Sequence, residues 1–170
     1  MDANQMLKED HHKVKELFKA FEQEPPDEAK QRIVESALME LEVHTTLEEE
    51  LYYPAVRRHT GDDDLMDEAD EEHLAAKRLI EDLKGMKPGD RHYDAKFTVL
   101  AESVKHHIQE EESEMLPKAS RSGLDLQALG EQMAQRKQQL LREAEAPEVR
   151  QGSRHRTSRR SRSRAHAGRR

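Results

Sequence analysis

The chain has 170 residues, of which 34% are hydrophobic and 38% are charged, and its formal net charge is −7. This length favours one domain, and the lack of cysteine excludes disulfides, thiolate catalysis and cysteine-ligated metal sites. The sequence has no run of about 18 apolar residues and no apolar segment of a secretory signal near its start, so we expect a cytoplasmic protein without a membrane segment.

The charge is divided unevenly along the chain. Residues 147–170 contain nine arginines and one glutamate, a charge of +8, which leaves −15 on residues 1–146. From Gln151 onward the tail has no apolar side chain larger than alanine, so we expect 147–170 to be disordered. The tail could contact nucleic acid phosphates weakly and nonspecifically, dock on anionic partners, or only keep the protein in solution. It has no aromatic residues on which bases could stack, which argues against base-specific recognition.

Apolar residues in 1–146 recur at steps of three and four, the spacing of amphipathic helices. Five such stripes follow one another, and they end at Pro25-Pro26, near Gly61, at Gly85, before Gly123 and near Ala146. Four long helices joined by short loops predict an all-α, up-down-up-down four-helix bundle. We expect the shorter fifth helix to pack across the outside of this domain.

The chain also repeats itself at an offset of about 63 residues. The spacing His-x3-Glu-x5-Pro occurs from His44 to Pro54 and again from His107 to Pro117. A second pattern, an acidic residue followed by His-x5-Leu, also occurs twice. It begins at Asp10 and again at Glu72. We therefore expect two copies of a helical hairpin, packed about a pseudo-twofold axis.

Each of the four long stripes is interrupted by one histidine, and stripes two and four add a glutamate one turn later. A lone inward histidine or a single His-x3-Glu pair is ordinary in helices, but the recurrence on four stripes at similar heights is not. Residues at i and i+4 lie on one helix face, and a buried carboxylate without a partner is costly. Four imidazoles and two carboxylates suit two borderline metal ions, each bound by two histidines and bridged by the glutamates. The candidate ligands are His11, His44, Glu48, His73, His107 and Glu111.

Four segments resemble the hemerythrin family, specifically its HHE cation-binding domains. In chain order these segments are EDHHKVKELF, HTTLEEELYYP, EEHLAAK and HHIQEEESEMLP, and the likeness extends over residues 1 to about 146. The resemblance implies a four-helix bundle that holds two iron ions in a non-heme di-iron centre. It also implies that the six candidate ligands occupy the positions of the family's ligands.

The sequence departs from the oxygen-carrying members of that family at the candidate ligands of the third and fourth helices. Those proteins have a second histidine one turn after the ligand of the third helix, where this chain has Lys77. They also space the pair on the fourth helix as His-x4-Asp, which only His106 and Glu111 imitate here. The missing imidazole weighs against reversible oxygen storage. Lys77 could instead extend outward or pair with a carboxylate.

Several residues beside the candidate ligands have two interpretations. Tyr52 and Tyr53 follow Glu48 by one turn, so either could donate a hydrogen bond or bind the metal, although packing at the end of the bundle is the simpler interpretation. The flanking acidic residues are expected to be solvated helix faces; these are Glu49, Glu50, Glu110 and Glu112.

The predicted function is that of a di-iron protein that binds, senses or detoxifies a small ligand such as oxygen, nitric oxide or peroxide. Whether it is an enzyme stays open at this point, because the pattern indicates a site and not a turnover. The alternatives are an iron store or sensor without catalysis, and a structural bundle that its basic tail recruits to polyanions.

Overall fold

A computed structural model of the chain describes residues 1–145, and it is helical throughout. The α-helices are α1 (Ala3–Glu22), α2 (Asp27–Leu47), α3 (Tyr53–Thr60), α4 (Asp63–Lys84), α5 (Tyr93–Glu110), α6 (Leu116–Arg121) and α7 (Leu126–Glu145). The predicted tail, 147–170, lies outside the described residues. Within residues 1–145, no helix combines the length and the apolar character needed to span a membrane.

The ends of the helices follow local signals in the sequence. Asp2 caps α1, since its side chain accepts a hydrogen bond from the backbone N–H of Gln5 (2.9 Å) and its own N–H donates to the Gln5 side chain (3.1 Å). Asp62 caps α4 in a similar way, through the backbone N–H of Leu65 (3.3 Å). Gly61 ends α3 with a φ of +67°, which glycine adopts without strain.

Two long helices continue past the middle of the bundle through a π-helical turn. The turn Glu48–Tyr52 joins α2 to α3, and the turn Glu111–Met115 joins α5 to α6. At the end of each turn a backbone N–H bonds the carbonyl five residues earlier, and a proline, Pro54 or Pro117, is the second residue after the turn. Proline lacks an N–H and crowds the carbonyl four residues before it, and the wider turn accommodates that crowding.

The helices form two antiparallel hairpins, α1 with α2 and α4 with α5, which pack together as the predicted four-helix bundle. The core is divided into two apolar clusters. One contains Leu7, Leu47 and Tyr52 near α3, α6 and α7, and the other contains Phe18 and Phe97 near the α1–α2 loop. The predicted inward histidines lie along each helix between these clusters, so a polar layer crosses the middle of the bundle.

The last helix, α7, packs against α1, α2 and the first π turn, as the fifth helix predicted from the sequence. Its Gly130 lies so close to the start of α1 that a Cβ there would be 2.7 Å from the backbone oxygen of Met1. Arg136 of the same helix makes two hydrogen bonds to Glu50, at 2.7 and 3.0 Å. The outer helix is therefore tied to the turn that carries Glu48.

Candidate metal centre

All six candidate ligands lie together in the polar layer between the two apolar clusters. Each is buried; Glu48 is 0% exposed, and even His107, which has the most contact with solvent, is only 7% exposed. α1, α2, α4 and α5 each contribute one histidine, and the glutamates come from the first residues of the two π turns. The set is His11, His44, Glu48, His73, His107 and Glu111.

The first half of the layer contains the histidines of α1 and α2. Nε2 of His11 lies 3.2 Å from Oε2 of Glu111, and Nε2 of His44 lies 3.1 Å from Oε1 of Glu48. The two imidazole rings meet edge to face, with their centroids 4.9 Å apart. One donor atom from each of these four residues falls within 4.8 Å of the others, so all four can reach one cation.

The second half contains the histidines of α4 and α5. Nε2 of His73 lies 3.3 Å from Oε2 of Glu48, and Nε2 of His107 lies 3.5 Å from Oε1 of Glu111. The ring centroids are 4.8 Å apart, nearly the separation of the first pair. Each glutamate thus directs one oxygen to each histidine pair, which is the arrangement of a carboxylate that bridges two metal ions.

The outward nitrogen of every one of these histidines faces a carboxylate. The Nδ1 contacts are His11 with Glu112 (2.8 Å), His44 with Asp10 (3.6 Å), His73 with Glu49 (3.1 Å), and His107 with Glu72. An imidazole whose Nδ1–H donates to a carboxylate carries its lone pair on Nε2, and metal-bound histidines in proteins have such an outer partner. The neutral rings of His11, His73 and His107 therefore direct an Nε2 lone pair into the layer, whereas Nδ1 of His44 only lies near Asp10.

The inward atoms fit a cation better than they fit one another. Nε2 of His73 and Nε2 of His107 are 3.1 Å apart, so two lone pairs face each other unless a proton or an ion lies between them. Five buried side-chain atoms among residues 1–145 find no hydrogen-bond partner, and three of them face inward in the first half: Nε2 of His11, Oε1 of Glu48 and Oε2 of Glu111. The other two, Nδ1 of His44 and Oδ2 of Asp10, lie 3.6 Å from each other. Buried polar atoms are normally paired, and a positive ion between the nitrogens and the carboxylates would satisfy both halves.

Tyr53 makes the two halves chemically different. Its hydroxyl donates to Oε1 of Glu111 (2.7 Å) and lies 3.3 Å from Oε2 of Glu48. The same oxygen lies 3.1 and 3.2 Å from the Nε2 atoms of His73 and His107. At the equivalent position of the repeat, 63 residues on, the chain has Leu116. The phenol therefore belongs to the second half alone, where it can bind the metal or donate to a bound ligand.

The interpretation of the tyrosines as packing residues is correct for Tyr52 and incomplete for Tyr53, which belongs to the same apolar cluster but extends its hydroxyl into the polar layer. Tyr52 lies in the apolar cluster, and its hydroxyl donates to the side chain of Asn4 (2.7 Å). The π turn separates the two neighbours in function, because it directs Tyr53 into the polar layer. That turn was not predicted from the sequence.

In the absence of metal the electrostatics of the layer favour ion pairs. Burial by itself would lower the pKa of His44, but Glu48 and Asp10 outweigh burial and raise that pKa to about 10. Burial would also lower the pKa of His107, but Glu111 and other carboxylates raise that pKa to about 11. Burial would raise the pKa of Glu111, but its histidine partners hold it well below the usual value. Metal ions must therefore displace protons from the imidazoles to bind.

The structure corrects one sequence interpretation of the exposed charges and decides between the two alternatives for Lys77. Glu49 and Glu112 are not merely solvated, because each bonds the outward nitrogen of a candidate ligand. Lys77 is 45% exposed and does not face the layer; its ammonium group lies 2.6 Å from both carboxylate oxygens of Glu49. The pairing of Lys77 with a carboxylate, one of the two alternatives, is what the structure has.

Asp10 and Glu72 were noticed in the sequence only as part of the repeat, without a role. The structure shows that each acid precedes one histidine and contacts the histidine of the next helix in the same hairpin, His44 or His107. The recurrence of the acid-His dipeptide was therefore the available signal. The helix packing that pairs each acid with a histidine more than thirty positions away could not be predicted from this dipeptide alone.

The family model of the hemerythrin HHE cation binding domain matches residues 2–119 of this chain. This chain belongs to the hemerythrin HHE family. The resemblance found in the sequence is thereby confirmed, and the histidine and glutamate clusters lie within the matched range.

The fold of this hemerythrin HHE protein is also that of a solved relative. The crystal structure of a hemerythrin HHE cation binding domain-containing protein from Mycobacterium kansasii has a TM-score of 0.72 and 28% sequence identity. The likeness covers 85% of this chain and 90% of that chain. An uncharacterized protein of Mycobacterium tuberculosis, Rv2633c, is 25% identical over 154 residues, which cover 82% of this chain and 88% of the relative.

A further relative is a much longer protein. A protein of Nostoc sp. named DNA nickase is 31% identical over 113 residues, which cover 66% of this chain. The same residues are 32% of that relative, so the chain spans about a third of its length.

Proposed function

We propose that this protein holds two iron ions in a non-heme di-iron centre and uses them to bind, sense or detoxify a small ligand such as oxygen, nitric oxide or peroxide. The observation that carries the proposal is the position of Glu48 and Glu111. Each places one carboxylate oxygen beside each pair of histidines, so one cation can lie in each half of the layer.

The donor atoms favour iron over a hard cation. The layer offers imidazole nitrogens and carboxylate oxygens, and imidazole suits zinc, copper, iron and nickel, whereas magnesium and calcium prefer oxygen alone. The family implies iron among these. Bound iron would supply a Lewis acid and a redox couple next to a small ligand.

The chain's own residues would orient that centre. The outer carboxylates of Glu112 and Glu49 hold the imidazoles of His11 and His73 with Nε2 inward, and the six candidate ligands are all buried. The hydroxyl of Tyr53 holds a proton at 2.7 Å from Glu111, where it can donate to a ligand in the second half.

The number of bound metal ions tests this assignment. Iron-loaded protein should contain two ions per chain, and His44→Ala should weaken the first half while the second keeps its histidines. Glu48→Gln should disturb both ions together, since this carboxylate faces both halves. The control is His12→Ala, an exposed histidine next to His11 on α1 that belongs to none of the candidate metal-binding groups among residues 1–145. A Glu48→Gln protein with two ions and an unaltered absorption spectrum would contradict the bridging role.

Consumption of hydrogen peroxide separates detoxification from binding or sensing of a small ligand. A centre that detoxifies should consume added peroxide only when it is loaded with iron, and Glu48→Gln should abolish that consumption. A loaded protein that leaves peroxide intact but changes its spectrum with nitric oxide or azide would favour sensing or binding. A loaded protein that does neither would favour an iron store.

Weak association with nucleic acid is a second candidate. It is supported by the nine arginines in 147–170 and by the name of the Nostoc relative. It is opposed by the charge of −15 on the rest of the chain. Deletion of 147–170 should remove DNA binding at low salt. The log–log salt slope of the full chain should be no steeper than about −8, which corresponds to about −0.9 for each of nine neutralised phosphates. Equal binding by both proteins would exclude the tail as the cause.

A further inference from the structure

A cavity of about 430 Å³ lies directly against the four histidines of the polar layer. Side chains from α1, α2, α4 and α5 enclose it, and its walls away from the histidines are mostly apolar. Those walls include Val14, Leu41, Ala76, Ile80, Val104 and Ile108. The cavity therefore continues from the candidate metal centre into the apolar half of the bundle.

The cavity lies on one side of the layer only. His11, His44, His73 and His107 line it, whereas Glu48, Glu111 and Tyr53 do not. A ligand that enters from the cavity would therefore approach the histidine side of the centre, away from the glutamates and the phenol.

The volume is far larger than a small inorganic ligand needs. A water molecule occupies about 30 Å³ in the liquid, and an apolar protein cavity of roughly 150 Å³ already holds benzene. Two metal ions and a diatomic ligand would fill only a minor part of 430 Å³. Pockets that bind organic molecules begin at about 300 Å³ and are mainly apolar.

The rim limits the charge of a ligand. Ala75, Glu102, Ser103 and His106 are exposed where the cavity meets the surface between α4 and α5, and Glu72 lies deeper on the same side. Two carboxylates at this side disfavour an anionic ligand such as a fatty acid. The chemistry favours a neutral molecule.

We propose that this cavity admits a neutral, single-chain organic molecule whose terminal hydroxyl or hydroperoxyl oxygen reaches the metal centre while its apolar chain packs against Val14, Ile80 and Val104. This inference rests on the proposed di-iron function and names a ligand class for it. The apolar walls bind the chain of carbons, and the histidine side of the layer receives the oxygen. The same recognition would serve an alcohol and the corresponding organic hydroperoxide.

A series of primary alcohols tests the proposal. Binding of 1-butanol, 1-hexanol and 1-octanol to iron-loaded protein is measured by isothermal titration calorimetry. Each methylene moved from water into an apolar cavity should tighten binding about fourfold, so 1-octanol, with four more methylenes, should bind roughly 250-fold more tightly than 1-butanol. In the same samples, 1-octanol should raise the apparent dissociation constant of azide, followed by the absorption of the centre.

Filling the cavity supplies the matched variant. Ala76 is buried in the wall, so Ala76→Phe should occupy the space and remove the dependence on chain length while two ions stay bound. The control is Leu74→Phe, on the same helix, because Leu74 is 44% exposed and does not line the cavity. Leu74→Phe should bind alcohols like the unaltered protein.

The outcomes separate the inference from the function on which it rests. A protein that loads two ions and binds azide, but binds all three alcohols equally, overturns the inference and leaves the di-iron function intact. If the affinity for alcohols rises with chain length but 1-octanol leaves the dissociation constant of azide unchanged, the proposed contact between the alcohol oxygen and the metal centre is wrong. An Ala76→Phe protein that keeps the full chain-length dependence overturns the location. Failure to load iron overturns the proposed function itself.

Discussion

Each inward histidine has a carboxylate beside its outward nitrogen, on the side away from the candidate metal position. Glu49 illustrates this: its carboxylate accepts from Nδ1 of His73 and also pairs with Lys77. The His73 contact, together with Lys77 and despite partial burial, brings the pKa of Glu49 down to about 2. Glu49 is therefore ionised at neutral pH and can hold the His73 ring in one orientation.

Glu49→Gln should weaken metal binding in the second half of the layer. A neutral amide is a poorer acceptor for Nδ1–H, and loss of such a partner typically lowers metal affinity by about 10- to 100-fold. Titration with a chelator measures the affinity of each ion. The control is Glu50→Gln, one residue on, which loses its bonds to Arg136 but contacts none of the candidate ligands. Equal losses in both variants would argue that Glu49 acts only through the stability of the turn.

Tyr53→Phe should affect the two metal positions unequally. The hydroxyl lies within 3.3 Å of four atoms of the second half, so its loss should lower the affinity for that ion and change the spectrum. Tyr52→Phe is the matched control. It leaves the Asn4 acceptor unsatisfied, which should cost about 1–3 kcal/mol in unfolding free energy without any loss of metal. Identical metal affinity in Tyr53→Phe and in the unaltered protein would remove Tyr53 from the site.

At the scale of the residue, the sequence identified the six inward candidates because each interrupts an apolar stripe on a helix of known period. For Lys77 the periodicity left two outcomes open, since it puts that residue one turn after His73 on the same helix face. A long side chain at the edge of a stripe can turn outward, and Glu49 attracts it there. Tyr53 could not be separated from Tyr52 without knowledge of the π turn.

At the scale of the element, helix ends were predictable because prolines, glycines and acidic caps mark them. The π turns were not, although the paired prolines at Pro54 and Pro117 were visible in the repeat. Proline in a helical pattern indicates a kink or an end, and it does not by itself specify a turn with one extra residue. These turns affect the site directly, because both candidate bridging glutamates are the first residues of the turns.

The contact between α7 and α1 gives a test at this scale. Gly130→Ala would place a Cβ within 2.8 Å of three backbone atoms of residues 1–3, which cannot move aside as a side chain can. We expect a loss of about 1–3 kcal/mol in unfolding free energy, measured by thermal or denaturant unfolding.

Gly85→Ala is the control for that substitution. A Cβ on Gly85 would meet only the backbone oxygen of Asp82, at an ordinary 3.6 Å, and its φ of −86° suits alanine. This variant should be neutral or slightly more stable, since alanine restricts the unfolded chain. Similar losses at both positions would contradict close packing of α7 on the start of α1.

At the scale of the whole molecule, metal binding and folding are linked through the polar layer. Ions that bind only the folded chain stabilise it by about 4 kcal/mol at a thousandfold excess over the dissociation constant. Without ions, the layer relies on protonated histidines beside ionised glutamates. Protein treated with a chelator should therefore melt at a lower temperature than loaded protein.

The difference in melting temperature should grow with pH. In the metal-free fold the pKa of His44 is about 10, above its usual 6.5, so its contribution is complete below pH 6.5 and is lost as pH rises toward 10. His107, with a pKa of about 11, changes in the same direction. Melting curves at pH 6 and pH 9, with and without chelator, measure the effect. A difference that stays constant or shrinks at pH 9 would contradict proton–metal competition in the layer.

The central claim is that two cations lie in this layer, one beside each histidine pair, with Glu48 and Glu111 between them. Anomalous diffraction at the iron edge from crystals of iron-loaded protein tests it most directly. The account predicts two peaks, one beside His11 and His44 and the other beside His73 and His107. A single peak, or peaks elsewhere in the molecule, would contradict it.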